Sequence, residues 1–232
     1  MKNSTINKFL LASTLSLCVS SAFASTAVMQ VKGKLMTSSC TPTLSNGGLV
    51  NYGNFKVGDL DTSNPNQLGE KDITLTINCS APTRVAITIT DDRQSSANDS
   101  VILLTPVSGA DSVNDEFTRF GLGKTQGGVN IGAWAPFVNK ATVLADGASA
   151  NLIYDEASTG STWAPLELEL NDYQVLPTNA MVTLGDSNNI PKAFTSATFP
   201  MKTSAVIDDT TTLALTDDTN LDGQATISLV YL

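Results

Sequence analysis

The sequence has 232 residues, of which 13 are basic and 22 are acidic, with three cysteines and no histidine. The excess of negative charge works against binding to nucleic acid or to anionic lipid, because like charges repel. The lack of histidine excludes Ser-His-Asp and Cys-His catalysis and removes the commonest ligand of protein zinc sites. We therefore expect no nucleic-acid partner and no catalytic zinc.

The first 24 residues have the pattern of a secretory signal peptide. Lys2 and Lys8 give a positive start, residues 9–19 are apolar, and Ala22 and Ala24 are small residues at the −3 and −1 positions of a cleavage site. The alternative, an uncleaved anchor helix, is disfavoured because spanning a bilayer takes about 20 apolar residues. We predict a signal peptide over residues 1–24, cleavage after Ala24 and no membrane insertion.

The predicted mature chain, residues 25–232, lies in an oxidising compartment. Cleavage removes two basic residues and no acidic ones, which leaves about eleven excess negative charges. It also removes Cys18, so that Cys40 and Cys79 remain. An even number of cysteines in an exported chain indicates a disulfide, with two free buried thiols as the alternative.

Apolar residues alternate with polar ones along most of the mature chain, which is the pattern of half-buried strands. The clearest runs are residues 27–35, 73–77 and 85–90, which are rich in β-branched residues. Weaker strand patterns cover residues 101–107, 116–122, 129–134, 150–154, 164–170, 180–184, 194–199, 203–207, 211–216 and 224–232.

Turn signals separate these runs, among them Asn46-Gly47, Asp146-Gly147 and Asp222-Gly223. Many short strands between such turns predict an all-β protein with a β-sandwich fold. Residues 91–165 are richer in Gly, Ser, Asn and Asp than their flanks. We interpret them as long loops or an insertion within one domain that covers residues 25–232.

The segment from Val31 to Cys40 resembles the first strand of chaperone–usher pilus subunits. The apolar-x-Gly-x-apolar motif Val31-Lys32-Gly33-Lys34-Leu35 precedes Cys40 at the spacing of that family, and an alternating strand ends in Cys79. In the family these two cysteines form a disulfide between the two strands. The resemblance therefore implies a Cys40–Cys79 bond and an immunoglobulin-like, pilin-type sandwich, incomplete until a donor strand from another chain completes it.

The last ten residues resemble the same family. A glycine, an alternating strand and a penultimate tyrosine appear as Gly223 followed by Ala225, Ile227, Leu229 and Tyr231. In the family this strand pairs first with a chaperone and later with the N-terminal strand of the next subunit. The resemblance implies that these four residues of the strand pair with a chaperone or donor strand.

The function implied by the resemblance is that of a structural subunit of a surface fimbria, which contributes to adhesion. Its partners would be a periplasmic chaperone, an outer-membrane usher and neighbouring subunits, with no enzymatic activity. The donor strand would include Ala27, Met29 and Val31, although Ser25–Gln30 alone reach only about 20 Å when extended. The alternative is a subunit that accepts a strand and donates none, as a tip adhesin or another secreted glycan-binding module would.

The final strand also raises a physical question. Alternating apolar residues on an uncovered sheet edge promote aggregation, so such an edge must be covered internally or by a partner. The alternative is an ordinary sandwich in which the C-terminal strand is central and paired on both sides.

Residues that could carry chemistry are few. The acidic pairs Asp91-Asp92, Asp208-Asp209 and Asp217-Asp218 lack the patterning of a glycosidase pair, because neighbours in a strand point to opposite faces. Residues 218–223 match the first half of a calcium loop, but Leu229 stands where the bidentate glutamate is expected. We predict no catalytic residues, no metal site and no cofactor.

Two tryptophans, Trp134 and Trp163, lie in or near the loop-rich middle of the chain. They could stack on a sugar, as in an adhesin. We favour a role in the sandwich core, because buried aromatic residues commonly anchor such cores.

Overall fold

A computed structural model describes residues 27–34, 38–104, 112–113, 116–167 and 172–232. The chain divides into two compact units, Met1–Met36 and Thr37–Leu232. Residues 27–34 of the first unit have no regular secondary structure, and their side chains are exposed. The predicted strand over 27–35 is therefore wrong for these eight residues, because a strand needs a hydrogen-bonded neighbour and residues 27–34 pair with no described strand.

The second unit is nearly all β. Its strands, in chain order, are β1 (Cys40–Leu44), β2 (Asn66–Thr83), β3 (Val85–Asp91), β4 (Leu103–Leu104), β5 (Ser112–Val113), β6 (Phe120–Gly121), β7 (Gly132–Asn139), β8 (Leu144–Ala145), β9 (Ala148–Ser149), β10 (Asn151–Asp155), β11 (Ala164–Pro165), β12 (Tyr173–Val175), β13 (Met181–Gly185), β14 (Phe194–Ile207) and β15 (Ala225–Tyr231). A single turn of α-helix, α1, covers Thr210–Leu213.

Two antiparallel sheets form a β-sandwich. The first has the order β1-β2-β14-β7-β12, with β6 on β7 and the β8–β9 hairpin beside β14. The second has the order β11-β10-β13-β3-β15, and β4 and β5 form a separate ribbon. The predicted all-β sandwich is confirmed.

The main core lies between the sheets and follows the alternation of the sequence. Ile73, Leu75 and Ile77 of β2 are buried with Ile87 and Ile89 of β3, and all five belong to one apolar cluster. Burying an aliphatic side chain of this size contributes about 1.5–3 kcal/mol. The predicted strands 73–77 and 85–90 are confirmed as parts of β2 and β3.

A second apolar cluster includes Val101, Leu103, Phe137 and Val206. The preceding residue of β14, Ala205, belongs to a third apolar cluster that includes Ile131 and Leu213, so both faces of this strand end are covered. This accounts for the unbroken run of buried residues Thr203–Ile207, which a half-exposed strand would not show. The interpretation of 91–165 as an insertion stays a prediction.

The predicted strands 194–199 and 203–207 form one continuous strand, β14. The predicted strand 211–216 is wrong, since its first residues, 211–213, belong to α1. Asp209 caps the helix by accepting a hydrogen bond from the Thr212 amide at 2.8 Å, and a cap of this kind outweighs the β preference of threonine. Ala214 ends the helix in the left-handed conformation.

Most of the remaining predicted strands occur with altered bounds. Those at 150–154, 180–184 and 224–232 correspond to β10, β13 and β15, and the run 129–134 begins only at Gly132 of β7. The runs 101–107, 116–122 and 164–170 shrink to the two-residue strands β4, β6 and β11 within the described residues. The Asp146-Gly147 turn joins β8 to β9, and both residues have positive φ, as a two-residue hairpin requires.

The disulfide prediction is confirmed. Cys40 and Cys79 are bonded and lie opposite each other in the β1–β2 ladder. The bond closes a segment with a sequence separation of 39 residues and fixes β1 at the edge of the first sheet. Among the described residues, no helix is long and apolar enough to cross a membrane.

Candidate strand-accepting groove

The last strand, β15, is an edge strand. It pairs with β3 in antiparallel register from Ala225 opposite Asp91 to Tyr231 opposite Val85. No other described strand pairs with it, since β15 ends the order of the second sheet. The alternative of a central C-terminal strand paired on both sides is therefore wrong for the described part of the chain.

The hydrogen bonds that flank β15 show which of its backbone groups point outward. The amide of Leu232 donates to the Arg84 carbonyl at 3.1 Å, and the Gln224 carbonyl accepts from the Asp92 amide at 3.0 Å. Even-numbered residues of this segment therefore bond to β3, because bonding direction alternates along an antiparallel strand. The N–H and C=O groups of the odd-numbered residues face the free edge, and these residues are Ala225, Ile227, Leu229 and Tyr231.

The side chains of Ala225, Ile227 and Leu229 turn toward the core but are only partly buried. By contrast, Ile87 and Ile89 on the neighbouring strand are 2% and 5% exposed. A row of apolar side chains that the protein's own core covers incompletely is what a missing neighbouring strand would leave.

An apolar groove of about 250 Å³ lies between this strand and the edge of the first sheet. Ala225 and Ile227 form one side, and Leu44, Leu49 and Val50 form the other. Side chains of the sandwich core form part of the remaining lining, among them Ile73, Ile89, Trp134 and Met201. The groove is thus a gap between the two sheets at the point where both sheets end.

Trp134 is partly buried and packs against the main core. Its indole nitrogen donates to the Gly121 carbonyl at 3.1 Å, and its ring packs on Phe120 with centroids 4.9 Å apart. Trp163 is also partly buried, and its indole nitrogen donates to the Gly160 carbonyl at 3.1 Å. Trp134 therefore serves the core, as predicted, and also lines the groove, a position that the sequence pattern did not indicate.

Tyr231 links the two sheets at one end of β15. Its hydroxyl accepts a hydrogen bond of 2.8 Å from the Cys40 amide, although the residue is 52% exposed. This contact joins the disulfide-bonded first strand to the last strand. The two edges are therefore held together at the Tyr231 end, while the groove lies at the Ala225 end.

A second pocket, of about 740 Å³, continues from the groove. Leu49, Val50, Tyr52 and Leu221 line both. The second pocket extends beneath the 49–60 loop, where Phe55 and Val57 are exposed apolar residues. Its charged lining residues, among those that the structure describes, are Asp217 and Asp218.

Further acidic residues surround the Ala225 end of β15. The Asp92 carboxylate accepts a hydrogen bond of 2.9 Å from the Thr226 hydroxyl, on the strand next to it. The Asp222 carboxylate forms an ion pair with Arg93 at 2.9 Å, so this member of the partial calcium motif is already engaged. No group of three or more candidate metal-binding side chains occurs within the described residues.

Asp91 points the opposite way from Asp92, into the protein. Its carboxylate accepts hydrogen bonds of 2.8 Å from the amides of Gly121 and Arg93. Burial raises the pKa of Asp91 despite these bonds. Burial likewise raises the pKa of Tyr52, beside the groove, to about 12, against a hydrogen bond to Thr203 that lowers it. Asp91 and Tyr52 are therefore hydrogen-bonded within the protein, as structural residues are.

The pair Asp208-Asp209 is also structural. The buried Asp208 carboxylate accepts from the Asn98 side chain at 2.9 Å, and Asp209 caps α1. The structure does not bring the acidic pairs together into one site: Asp91, Asp208 and Asp209 are engaged in separate local contacts.

The residues predicted to form a donor strand lie in the first unit. Ala27, Met29 and Val31 are exposed there, and Met29 reaches 91%. The structure places them in an irregular segment, without a strand neighbour among the described residues. Their role as a donor strand stays a prediction.

Comparison with known proteins places the chain among relatives of similar length. A family model described as "Protein of unknown function (DUF1120)" matches residues 29–135. The protein GltF of Escherichia coli K12 is 29% identical over 88% of this chain and 87% of its own length. The uncharacterized protein YhcF of the same organism is 31% identical over 97% of this chain and 98% of its own length. The chain therefore belongs to the same protein family as YhcF.

Proposed function

We propose that this protein is a structural subunit of a chaperone–usher surface fimbria, assembled by strand donation between subunits. The observation that supports this most is the free edge of β15 beside an apolar groove. Four backbone positions on this edge can pair with an added strand, and the half-covered side chains of Ala225, Ile227 and Leu229 would gain cover from it. The role is mechanical, and it requires no catalytic group.

The length of the exposed N-terminal segment suits a donor strand. Residues 27–34 have no regular secondary structure, so the proposed donor need not end at Gln30. Residues 27–34 span about 26 Å when extended, at about 3.3 Å a residue. The seven residues of β15 span about 23 Å by the same measure. This match favours an ordinary subunit that both accepts and donates a strand.

The proposed partners follow from the same edge. Before assembly, a periplasmic chaperone would cover β15 by adding a strand of its own. An outer-membrane usher would then exchange that strand for one from a neighbouring subunit. The protein would accordingly be exported and displayed in a fimbria at the cell surface, where it contributes to adhesion.

Expression of the mature chain in the periplasm, with and without a chaperone, tests this proposal. We expect the chain alone to aggregate or oligomerise within hours, and a matching chaperone to yield a soluble one-to-one complex. Size-exclusion chromatography with light scattering measures both. A chain that stays monomeric, soluble and fully folded for days without any partner would contradict the proposal.

A further inference from the structure

We infer that the second pocket binds a small organic cation, which carries an ammonium group on an apolar body. No residue of β15 lines this cavity of about 740 Å³. The inference therefore concerns a site other than the strand edge, goes beyond the proposed function and does not depend on it.

Two loops of the sandwich enclose the second pocket. The 49–60 loop, after β1, forms one side, and residues 215–221, between α1 and β15, form the other. Binding residues of proteins concentrate on loops that a rigid scaffold holds in place. The volume of the pocket also falls within the range of about 300–1,000 Å³ that is typical of small-molecule sites. Position and size are therefore those of a site for a small ligand.

Apolar side chains line the pocket both at its base and at its rim. Ile131, Ile207 and Leu213 are buried, at 2%, 5% and 2% exposure, whereas Phe55 and Val57 are 42% and 47% exposed. Exposed apolar side chains grouped beside a cavity are typical of a binding site, because a ligand that covers them removes apolar surface from water. The body of the ligand is therefore apolar.

The charged side chains of the lining are both acidic. Asp217 and Asp218 are exposed, and no lysine or arginine lines the pocket among the described residues. Lys124 lines the neighbouring pocket together with the same two carboxylates. Two carboxylates against this one lysine leave a net charge of about −1, which one ammonium group would neutralise. An anionic ligand would instead meet charges of its own sign.

A further lysine lies near the lining, but it brings no net charge. The Lys71 ammonium is 6.0 Å from the centre of the Tyr52 ring, which lines the pocket. Glu70 and Asp72 flank this lysine along β2, and Lys202 forms ion pairs of 3.0 and 3.1 Å with their carboxylates. Two lysines and two carboxylates cancel, so the second pocket stays acidic.

The backbone of both loops offers acceptors to an ammonium group, which has three N–H donors. Within the described residues, the carbonyls of residues 50–55 accept no hydrogen bond. Of the carbonyls of residues 215–221, only that of Asp217 accepts one, from the Thr219 hydroxyl at 3.3 Å. Carboxylate and carbonyl oxygens together can therefore replace the water that the cation loses on binding.

Four small probes test the two properties of the ligand separately. At neutral pH, n-octylamine has both an ammonium group and an apolar body, octanoate reverses the charge, 1-octanol removes it, and methylamine lacks the body. Saturation-transfer NMR on the mature chain measures the affinities, whether the chain is monomeric or assembled. We expect n-octylamine to bind at least about tenfold more tightly than each other probe. Equal affinity of another probe, or no saturable binding of n-octylamine, would overturn the inference.

Substitution of the two carboxylates tests the location of the cation. We expect Asp217→Asn with Asp218→Asn to weaken n-octylamine binding about fivefold at low salt and less at about 1 M salt, since salt screens exposed charges. Asp99→Asn with Glu156→Gln, an equal charge change at exposed positions outside the pocket, is the matched control. Equal loss in both double variants would overturn the assignment of the cation to this pocket.

Single substitutions test the apolar rim. Val57→Ser should weaken n-octylamine binding about threefold, whereas Ile190→Ser, at a 54% exposed position outside the pocket, should leave it unchanged. Ile227→Ala, on β15, should also leave it unchanged. A loss in either of these two variants as large as in Val57→Ser would overturn the assignment to the second pocket. None of these results bears on strand donation at β15, which the oligomerisation experiment tests separately.

Discussion

Substitution of Ile227 by alanine measures separately the free energy that this side chain contributes before and after the groove is filled. Ile227 is partly buried in the isolated chain, whereas Ile89 on the neighbouring strand is 5% exposed. Full burial of such a side chain is worth about 1.5–3 kcal/mol, so half-burial contributes roughly 1 kcal/mol. We expect Ile227→Ala to lower the free energy of unfolding of the isolated chain by about 1 kcal/mol, and Ile89→Ala by about 2–5 kcal/mol.

The exposed half of the Ile227 side chain contributes free energy only when a strand fills the groove and covers it. A synthetic peptide with the sequence of residues 27–34 should therefore bind Ile227→Ala about fivefold more weakly, which corresponds to roughly 1 kcal/mol. Its affinity for Ile87→Ala should change little, because Ile87 is 2% exposed and is not among the residues that line the groove. The peptide contains no tryptophan, and Trp134 lines the groove, so a shift of tryptophan fluorescence reports binding.

Urea unfolding gives the stabilities of both variants. Equal destabilisation of the isolated chain by Ile227→Ala and by Ile89→Ala would contradict this expectation, because Ile227 would then be covered already. Ser228→Ala, on the opposite face of the same strand, is the control and should leave peptide affinity within about twofold, since exposed positions contribute little.

Three further predictions concern the framework. Replacing Cys40 and Cys79 together by serine should cost roughly 4 kcal/mol for this loop length in the chain-entropy model, as measured by urea unfolding; a loss below 1 kcal/mol would contradict it. Gly132→Ala should destabilise by about 1–3 kcal/mol because the added Cβ collides with the Val206 backbone, whereas Gly58→Ala, with open space, should be neutral. Hydrogen bonds from the Thr195 side chain and from the Ser196 and Thr195 amides lower the pKa of Asp146. The ionised Asp146 carboxylate therefore stabilises the fold above pH 3.9, which is about the pKa of aspartate in the unfolded chain. This stabilisation is lost as pH falls through the pKa of Asp146 in the folded chain. The stability gap between the wild type and Asp146→Asn should accordingly be wide at neutral pH and narrow in acid, and a gap independent of pH would contradict this.

Alternation in the sequence was sufficient to predict the sandwich and most of its long strands. It worked for residues 73–77 and 85–90 because one face of each strand packs on the core and the other does not. It wrongly predicted two strands where β14 is one, because side chains cover both faces of the C-terminal half of β14 and the alternation is lost there. It failed again at Thr210–Leu213, where the side chain of Asp209 determines the local structure.

The site could be predicted only in part. The alternating pattern of β15 predicts that Ala225, Ile227 and Leu229 face the core, and the hydrogen bonds to β3 show that the backbone groups of the same odd positions face outward. The opposite wall of the groove could not be predicted, since Leu49 and Val50 belong to a loop without a pattern. The link between Tyr231 and Cys40 joins residues 191 positions apart in the chain, and no local signal indicates it.

Hydrogen exchange at the backbone amides of β15 tests the central claim most directly. In the isolated chain, the amides of Ala225, Ile227, Leu229 and Tyr231 should exchange rapidly, while those of Thr226, Ser228 and Val230, which bond to β3, should be protected. After assembly with a second copy, or on binding of the 27–34 peptide, all seven should be protected. Full protection of all seven in the isolated monomer would show that the edge is already covered, and it would contradict strand donation at this site.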